Sequence, residues 1–354
     1  MDISAIDKNF HVESNISAEG LVWMRGDTSP FVTYGAVSTF PYSRLPEEVA
    51  KNTNEGVLGL SKNTAGIRVR FRTDSPYIAI NVKWDVRSIF QHMPTTGTSG
   101  FDLYRYFEGE QNYIATFVPT PDCDSGYESI KYVEYGMCDY VINFPLYNNV
   151  TEFYIGVKEG SNFEQPADYR NSKPVVFYGS SITQGGCASR PGNCYQNFLS
   201  RKLDMDYINL GFSGSCRAED AIVDYLSGLD MSVFVCDYDH NAPTPEHLEK
   251  THYKLYETFR KANPDVPVIF LTMPDYDSHI KNDYLIKMKR REIVFRTYSK
   301  ALTNGDHNVY YVDGVSLFAG DETDNCTVDG CHPNDLGFYR FSQALLPTLK
   351  KLLY

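Results

Sequence analysis

The apolar periodicity changes near residue 170, and this change constrains the fold more than any other feature of the chain. Before it, apolar residues alternate with polar ones in short runs. Ile67, Val69 and Phe71 alternate with Arg68, Arg70 and Arg72, and Ile78, Ile80, Val82 and Trp84 follow after the Asp74-Ser75-Pro76 turn. Phe144, Leu146 and the run Phe153-Tyr154-Ile155-Gly156-Val157 continue the pattern on either side of the turn-prone Asn148-Asn149. A period of two, broken by turns at short intervals, predicts an antiparallel sandwich in which every second side chain faces one buried side. No helix longer than two turns is expected there.

After residue 170, short apolar runs take turns with helical spacing. Pro174-Val175-Val176-Phe177-Tyr178 ends at Gly179, as a buried parallel strand does, and Tyr195, Phe198, Leu199 and Leu203 then recur on one helix face. Further strands are expected at Ile208–Leu210, Val233–Val235, Val268–Leu271 and Val309–Val312, with helices over 218–227, 245–262, 283–303 and 335–352. Thr244 before Pro245 is an N-terminal cap signal. Regular β-α alternation predicts an α/β unit, a three-layer, doubly wound parallel sheet with helices on both faces. With Gly160–Ser172 as linker, the chain divides into an all-β domain over 1–165 and an α/β domain over 173–354. Its 354 residues agree with two domains at roughly 100–200 residues each.

Composition narrows the function. The chain has 33 Lys plus Arg against 45 Asp plus Glu, a net charge of −12. Without a basic stripe, such a chain is repelled by phosphate backbones, so nucleic acid is not an expected partner. No run approaches the ~20 apolar residues of a membrane span, and no membrane partner is expected. Met1–Asp7 has neither a basic n-region nor an apolar h-region, which predicts a cytoplasmic protein. Eight cysteines in this length are too sparse for a disulfide scaffold, and no Cys-x-x-Cys occurs, so free thiols and no metal site are expected.

In open α/β sheets, ligands bind where the strands end, so the loops after the expected strands carry the chemistry. Those loops read Gly179-Ser180-Ser181-Ile182-Thr183, Asn209-Leu210-Gly211-Phe212-Ser213-Gly214, Asp237-Tyr238-Asp239-His240-Asn241 and, before the last helix, Asp329-Gly330-Cys331-His332-Pro333. They supply a hydroxyl, small backbone donors, an amide side chain, and a histidine with a carboxylate. These are the residue types acyl transfer needs. No Gly-x-Ser-x-Gly elbow exists, which argues against an ordinary α/β-hydrolase.

In that order, Gly179-Ser180-Ser181, Asn209-x-Gly211-x-Ser213-Gly214, Asn241 and Asp329-x-x-His332 resemble the blocks of the SGNH (GDSL-type) hydrolase superfamily. The resemblance covers 173–354 and implies the SGNH hydrolase fold, with Ser181 as nucleophile, His332 as general base and Asp329 holding the imidazole. It also implies an oxyanion hole made by the N–H groups of Ser181 and Gly214 and the side-chain amide of Asn241. A hydroxyl nucleophile implies no cofactor. The chain departs from the family pattern twice. Ser180 replaces the usual acidic residue, and Asp239-His240-Asn241-Ala242 stands where the family has Gly-x-Asn-Asp. Asp237 and Asp239 therefore stay open as alternatives to Asn241.

The front half has its own resemblance. Gly100-Phe101-Asp102-Leu103-Tyr104 is similar to the Gly-x-Asp-Leu-Tyr pattern of a domain that precedes SGNH modules. The pairing resembles two-domain carbohydrate acetylesterases and implies a jelly-roll-like accessory sandwich. Its loop from His92 to Tyr104 could reach the active-site rim, making His92, Asp102 and Tyr104 candidate substrate contacts; alternatively, Asp102 and Tyr104 only fix a turn inside the sandwich. His240, the other histidine in a strand-end loop, is a further candidate. The expected protein is a serine esterase removing O-acetyl or other short acyl groups from sugars or oligosaccharides, as a monomer or homodimer. The alternatives are a short-chain lipase or thioesterase, and a carbohydrate-binding protein on a silent SGNH scaffold.

Overall fold

The computed structural model describes residues 12–107, 110–133, 135–274 and 281–354. The Met1–Asp7 segment lies outside them. The first half forms strands β1 (Leu21–Arg25), β2 (Val32–Tyr34), β3 (Arg68–Thr73), β4 (Tyr77–Lys83), β5 (Phe101–Phe107), β6 (Glu110–Phe117), β7 (Gly126–Tyr132), β8 (Cys138–Asn143), β9 (Glu152–Lys158) and β10 (Phe163–Glu164). Among the described residues these make two antiparallel sheets, ordered β1-β9-β4-β7 and β10-β3-β8-β5-β6, with β2 beside β3. The alternating apolar residues Val69, Phe71, Ile80 and Val82 fill the space between the sheets. At its centre the rings of Phe101, Phe144 and Phe153 lie 4.5 to 5.2 Å apart, within the range where offset and edge contacts add to burial.

One expectation changes here. Phe144 and Leu146 lie beyond the end of β8; their N–H groups bond to Ile67 O and Gly97 O. Their apolar character reflects burial in an irregular segment, not a strand. Two of the arginines of β3, Arg68 and Arg70, do not face water. Arg68 and Arg70 are each 1% exposed. Arg68 pairs with Asp206 and lies 4.1 Å from the centre of the Tyr207 ring, while Arg70 lies 4.2 Å from that of Tyr169. The polar face of β3 is covered by the second half of the chain.

That half is a parallel sheet of β11 (Asn171–Gly179), β12 (Met205–Gly211), β13 (Val233–Asp237), β14 (Val268–Leu271) and β15 (Val309–Val312), in the order β12-β11-β13-β14-β15. Successive side chains on a strand point to opposite faces, so the sheet has two cores. Val176, Tyr178, Phe234 and Phe270 pack against α6 (Asp220–Ser227), α7 (Pro245–Ala262) and α8 (Lys281–Thr303). Val175, Phe177, Val235 and Ile269 pack against α5 (Tyr195–Leu203) and α9 (Asp335–Leu353). Thr244 caps α7, accepting a hydrogen bond from His247 N–H. Two short helices of the first half, α1 (Glu47–Thr53) and α2 (Glu55–Leu60), also join the first of these cores through Ala50 and Val57, with Leu45 just before them, while single turns α3 (Thr95–Thr98) and α4 (Ser181–Gln184) precede β5 and follow β11. A boundary at residue 165 divides the sequence but not the packing.

Candidate active site

The parallel register sets the site. Gly179, the last residue of β11, lies opposite Gly211 of β12 on one side and Asp237 of β13 on the other. The loops beginning at 180, 212 and 238 therefore leave the sheet side by side. Ser180 caps the helical turn Ser181–Gln184, its hydroxyl accepting from Ile182 N–H at 3.2 Å. This is the work a small polar residue does in place of an acidic one. Gly211 is needed for close approach, because a Cβ there would lie 2.2 Å from Gln184 N. The nucleophile turn can sit on the strand end only over a bare backbone.

The hydroxyl of Ser181 lies 2.9 Å from His332 Nε2. His332 Nδ1 lies 2.7 Å from Asp329 Oδ2. A carboxylate only accepts, so Nδ1 carries the proton and Nε2 is left to take one from Ser181. The other Asp329 oxygen accepts the N–H groups of His332 at 2.7 Å and Cys331 at 3.0 Å. One carboxylate thus both closes the Asp-x-x-His turn and orients the ring, the double use an Asx turn permits. Partial burial pushes the Asp329 carboxyl up, but these bonds outweigh it and hold its pKa below the ordinary value. The loop is tied to the nucleophile segment by Cys187 N–H donating to Pro333 O at 2.8 Å.

The residues expected to form the oxyanion hole begin on neighbouring loops. Ser181 opens its turn, so its N–H stands outside the helical ladder. Gly214 is exposed, with φ +68° and open space where a side chain would be. That left-handed conformation favours glycine. Asn241 is half-buried, and its N–H donates to Tyr238 O at 2.9 Å. Asp237 and Asp239 have different work. Asp237 is buried and accepts from Thr183 Oγ1 at 2.8 Å; burial, then the Asp239 charge, pushes its pKa well above the usual carboxylate range. Asp239 is buried, accepts from Met273 N–H at 3.0 Å, and is lifted by burial to about 6. Both are committed to the fold, which leaves Asn241 as the candidate of this loop for the expected role.

A family model of the GDSL-like lipase/acylhydrolase family matches residues 172–350, just over half of the chain. The chain belongs to that family. A second model, the Gly-x-Asp-Leu-Tyr N-terminus of SGNH-hydrolase-type esterases, matches residues 22–163. Among solved structures, a Bacteroides ovatus protein described as a GDSL-like lipase superposes with a TM-score of 0.84 at 24% identity, covering 94% of this chain and 98% of that one. The salicylyl-acyltransferase SsfX3 from a tetracycline biosynthetic pathway gives 0.78 at 19% identity, with 95% and 98% covered. A family two carbohydrate esterase from Clostridium thermocellum, in complex with cellohexaose, gives 0.58 at 12% identity, with 82% and 93% covered. At these identities the likeness is one of fold. Comparison with curated proteins finds no match.

In this GDSL-like hydrolase the accessory half reaches the centre through His92, whose ring lies 5.7 Å from that of His332. Asp102 and Tyr104 do other work. Asp102 is fully buried; one oxygen accepts from Asn143 at 2.8 Å, the other from Gly192 N–H at 2.7 Å and Arg190 at 3.0 Å. Tyr104 bonds to Arg190 as well. Both are buried and bonded within the protein, and together they lock the 189–193 segment onto the sandwich. His240 Nε2 lies 3.2 Å from Cys331 Sγ, and the residue lines a cavity of about 240 Å³ with Met273, Lys287, Arg290, Gly330 and Cys331.

Three residues beyond the sequence reading support the site. Tyr147 Oη donates to Ser181 O at 3.3 Å. Gln184 accepts from Ser213 N–H at 2.9 Å and donates to Asn63 and Leu146, joining the two loops to the first half. Arg44, fully buried, donates to Asn209 O and Gly211 O below the oxyanion loop. Gln184 was findable, since it sits three residues after the nucleophile. Nothing marks Tyr147 among 27 tyrosines.

Proposed function

We propose that this protein is a serine esterase that removes O-acetyl or similarly short acyl groups from carbohydrates through an acyl-enzyme. The observation that carries the reading is the continuous line of hydrogen bonds from Ser181 through His332 to Asp329, at 2.9 and 2.7 Å. Ser181 Oγ attacks the ester carbonyl as His332 Nε2 takes its proton. The oxyanion is received by the N–H groups of Ser181 and Gly214 and the amide of Asn241. Collapse expels the sugar hydroxyl, protonated by His332, and a water activated by the same imidazole then releases the acid and frees Ser181. Asp329 stabilises the imidazolium that forms in both steps.

A carbohydrate substrate is supported by the pairing of the sandwich with the hydrolase unit, a fold shared with family two carbohydrate esterases. The test is acetate release from acetylated xylo-, manno- and gluco-oligosaccharides by wild type and Ser181→Ala. Release by wild type alone is expected, and its order among the sugars gives the specificity. Cleavage of 4-nitrophenyl acetate without release from any glycan would keep the esterase and refute the carbohydrate. Loss of both would refute the enzyme.

A further inference from the structure

A ring nitrogen of His92, the sulfur of Cys187 and a ring nitrogen of His332 lie within 4.8 Å of one another. Two imidazoles and a thiol are the donor set that borderline-soft cations select, Zn2+ above all. We propose that these three residues form an inhibitory site for Zn2+, which takes the catalytic imidazole out of the reaction. The inference rests on the reading of Ser181 and His332 as the reacting pair.

Geometry supports each ligand separately. Asp329 holds Nδ1 of His332, so Nε2 is the nitrogen open to a cation, and the carboxylate–histidine–metal arrangement that results is the usual outer support of a zinc ligand. Cys187 is buried beside the catalytic loop, fixed through its N–H to Pro333 O. His92 is exposed, and its ring rests against Phe90 at 6.0 Å, which in turn packs on Tyr147 at 4.9 Å. A tetrahedral zinc with bonds of about 2.0–2.3 Å holds its ligands closer together than 4.8 Å. Closure therefore needs a shift of about 1 Å, which the loop carrying His92 supplies most readily. Water or Ser181 Oγ fills the fourth position, and the thiol proton leaves to solvent. Zinc on Nε2 displaces the Ser181 hydrogen bond, so the nucleophile loses its base. His92 belongs to the sandwich while Cys187 and His332 belong to the hydrolase unit, so the ion also clamps the joint between them.

The experiment uses chelator-treated full-length protein, 4-nitrophenyl acetate and added ZnCl2. Inhibition of wild type at micromolar zinc, reversed by EDTA, is expected. Cys187→Ala keeps its turnover and needs at least about tenfold more zinc for half inhibition. His92→Ala, a change at an exposed position that leaves the core intact, needs a similar increase. Co2+ titration reads ligation without turnover: wild type develops a thiolate charge-transfer band that Cys187→Ala lacks. This arm keeps its meaning even if the esterase reading fails. Equal zinc sensitivity in all three proteins, or a cobalt spectrum without the thiolate band, overturns the proposal.

Discussion

Arg44 gives the sharpest test of how the first half of the chain supports the catalytic loops. Its guanidinium is fully buried and donates to four backbone carbonyls: Asn63 O at 2.6 Å, Leu60 O at 2.7 Å, Gly211 O at 2.8 Å and Asn209 O at 2.9 Å. Burial pushes its pKa down, and among the described residues no carboxylate pairs with it. The carbonyls therefore carry most of the compensation for its desolvation, with the Phe212 ring 4.8 Å away adding to it. Arg44→Met fills similar space and removes every donor. Hydrogen bonds to a charged group contribute about 1.5–3 kcal/mol each, and the cost of burying the cation offsets much of their sum. Removing one side of such an arrangement leaves the other stranded, at a net cost of about 3–5 kcal/mol.

That is a large share of the roughly 5–15 kcal/mol that holds a domain folded. Arg44→Lys keeps the charge but cannot span four acceptors with one ammonium, so an intermediate loss is expected. Urea unfolding at neutral pH measures the stability. In addition, kcat/KM on 4-nitrophenyl acetate, taken where each variant is still folded, is expected to fall about tenfold as the strand end leading to Gly214 loosens. If Arg44→Met is within about 1 kcal/mol of wild type and turns over equally well, water can replace the guanidinium and the bracing role is wrong.

Asn241→Ala should lower kcat by about 10²–10³ with little change in KM; an unchanged kcat would remove Asn241 from the oxyanion hole. Tyr147→Phe keeps the ring and loses the bond to Ser181 O, so a fall in kcat of less than about tenfold is expected, and a larger loss would give the hydroxyl a part in the chemistry. His252 is wholly buried against Tyr238 and Phe270, and burial holds its pKa at about 3. The unfolded chain takes a proton below about pH 6.5, so this residue's contribution is intact above that pH and lost as pH falls toward 3. About 2 kcal/mol should be gone by about pH 5, and His252→Phe should flatten that part of a urea-unfolding pH series. Residues 170–354 expressed alone should be insoluble or uncooperative and inactive, since Leu45, Ala50 and Val57 leave the shared core. A soluble, active fragment would show the two halves to be independent.

Much of the second half is legible because its central strands are buried on both faces and its long helices on one. Val268–Leu271 and Val309–Val312 are the strands that an apolar run between turns predicts, and Pro245–Ala262 begins at the cap that Thr244 and Pro245 announce. The site is legible for a related reason. Parallel strands bring their following loops to one edge, so Ser181, Gly214 and Asn241, far apart in sequence, start from neighbouring strand ends. The pair Asp329 and His332 needs no long-range information, because an Asp-x-x-His turn closes on itself.

What escaped the sequence lies at the joint between the halves. Alternation along β3 distinguishes apolar from charged residues, but a charged face can turn to solvent or to another polar surface. Arg68 and Arg70 turn to Tyr169, Tyr207 and Asp206, partners contributed from more than 95 residues away. The Asp102 and Tyr104 motif misleads in the same manner. A carboxylate and a phenol near a catalytic domain suit a substrate, yet they equally suit a backbone N–H and an arginine, and burial decides between the two. Asp102 has none of its surface exposed and three protein donors around its oxygens, so the chemistry that could have recognised a sugar is spent on holding Gly192 and Arg190. Polar residues signal recognition without naming what is recognised, and here the partner is the chain itself.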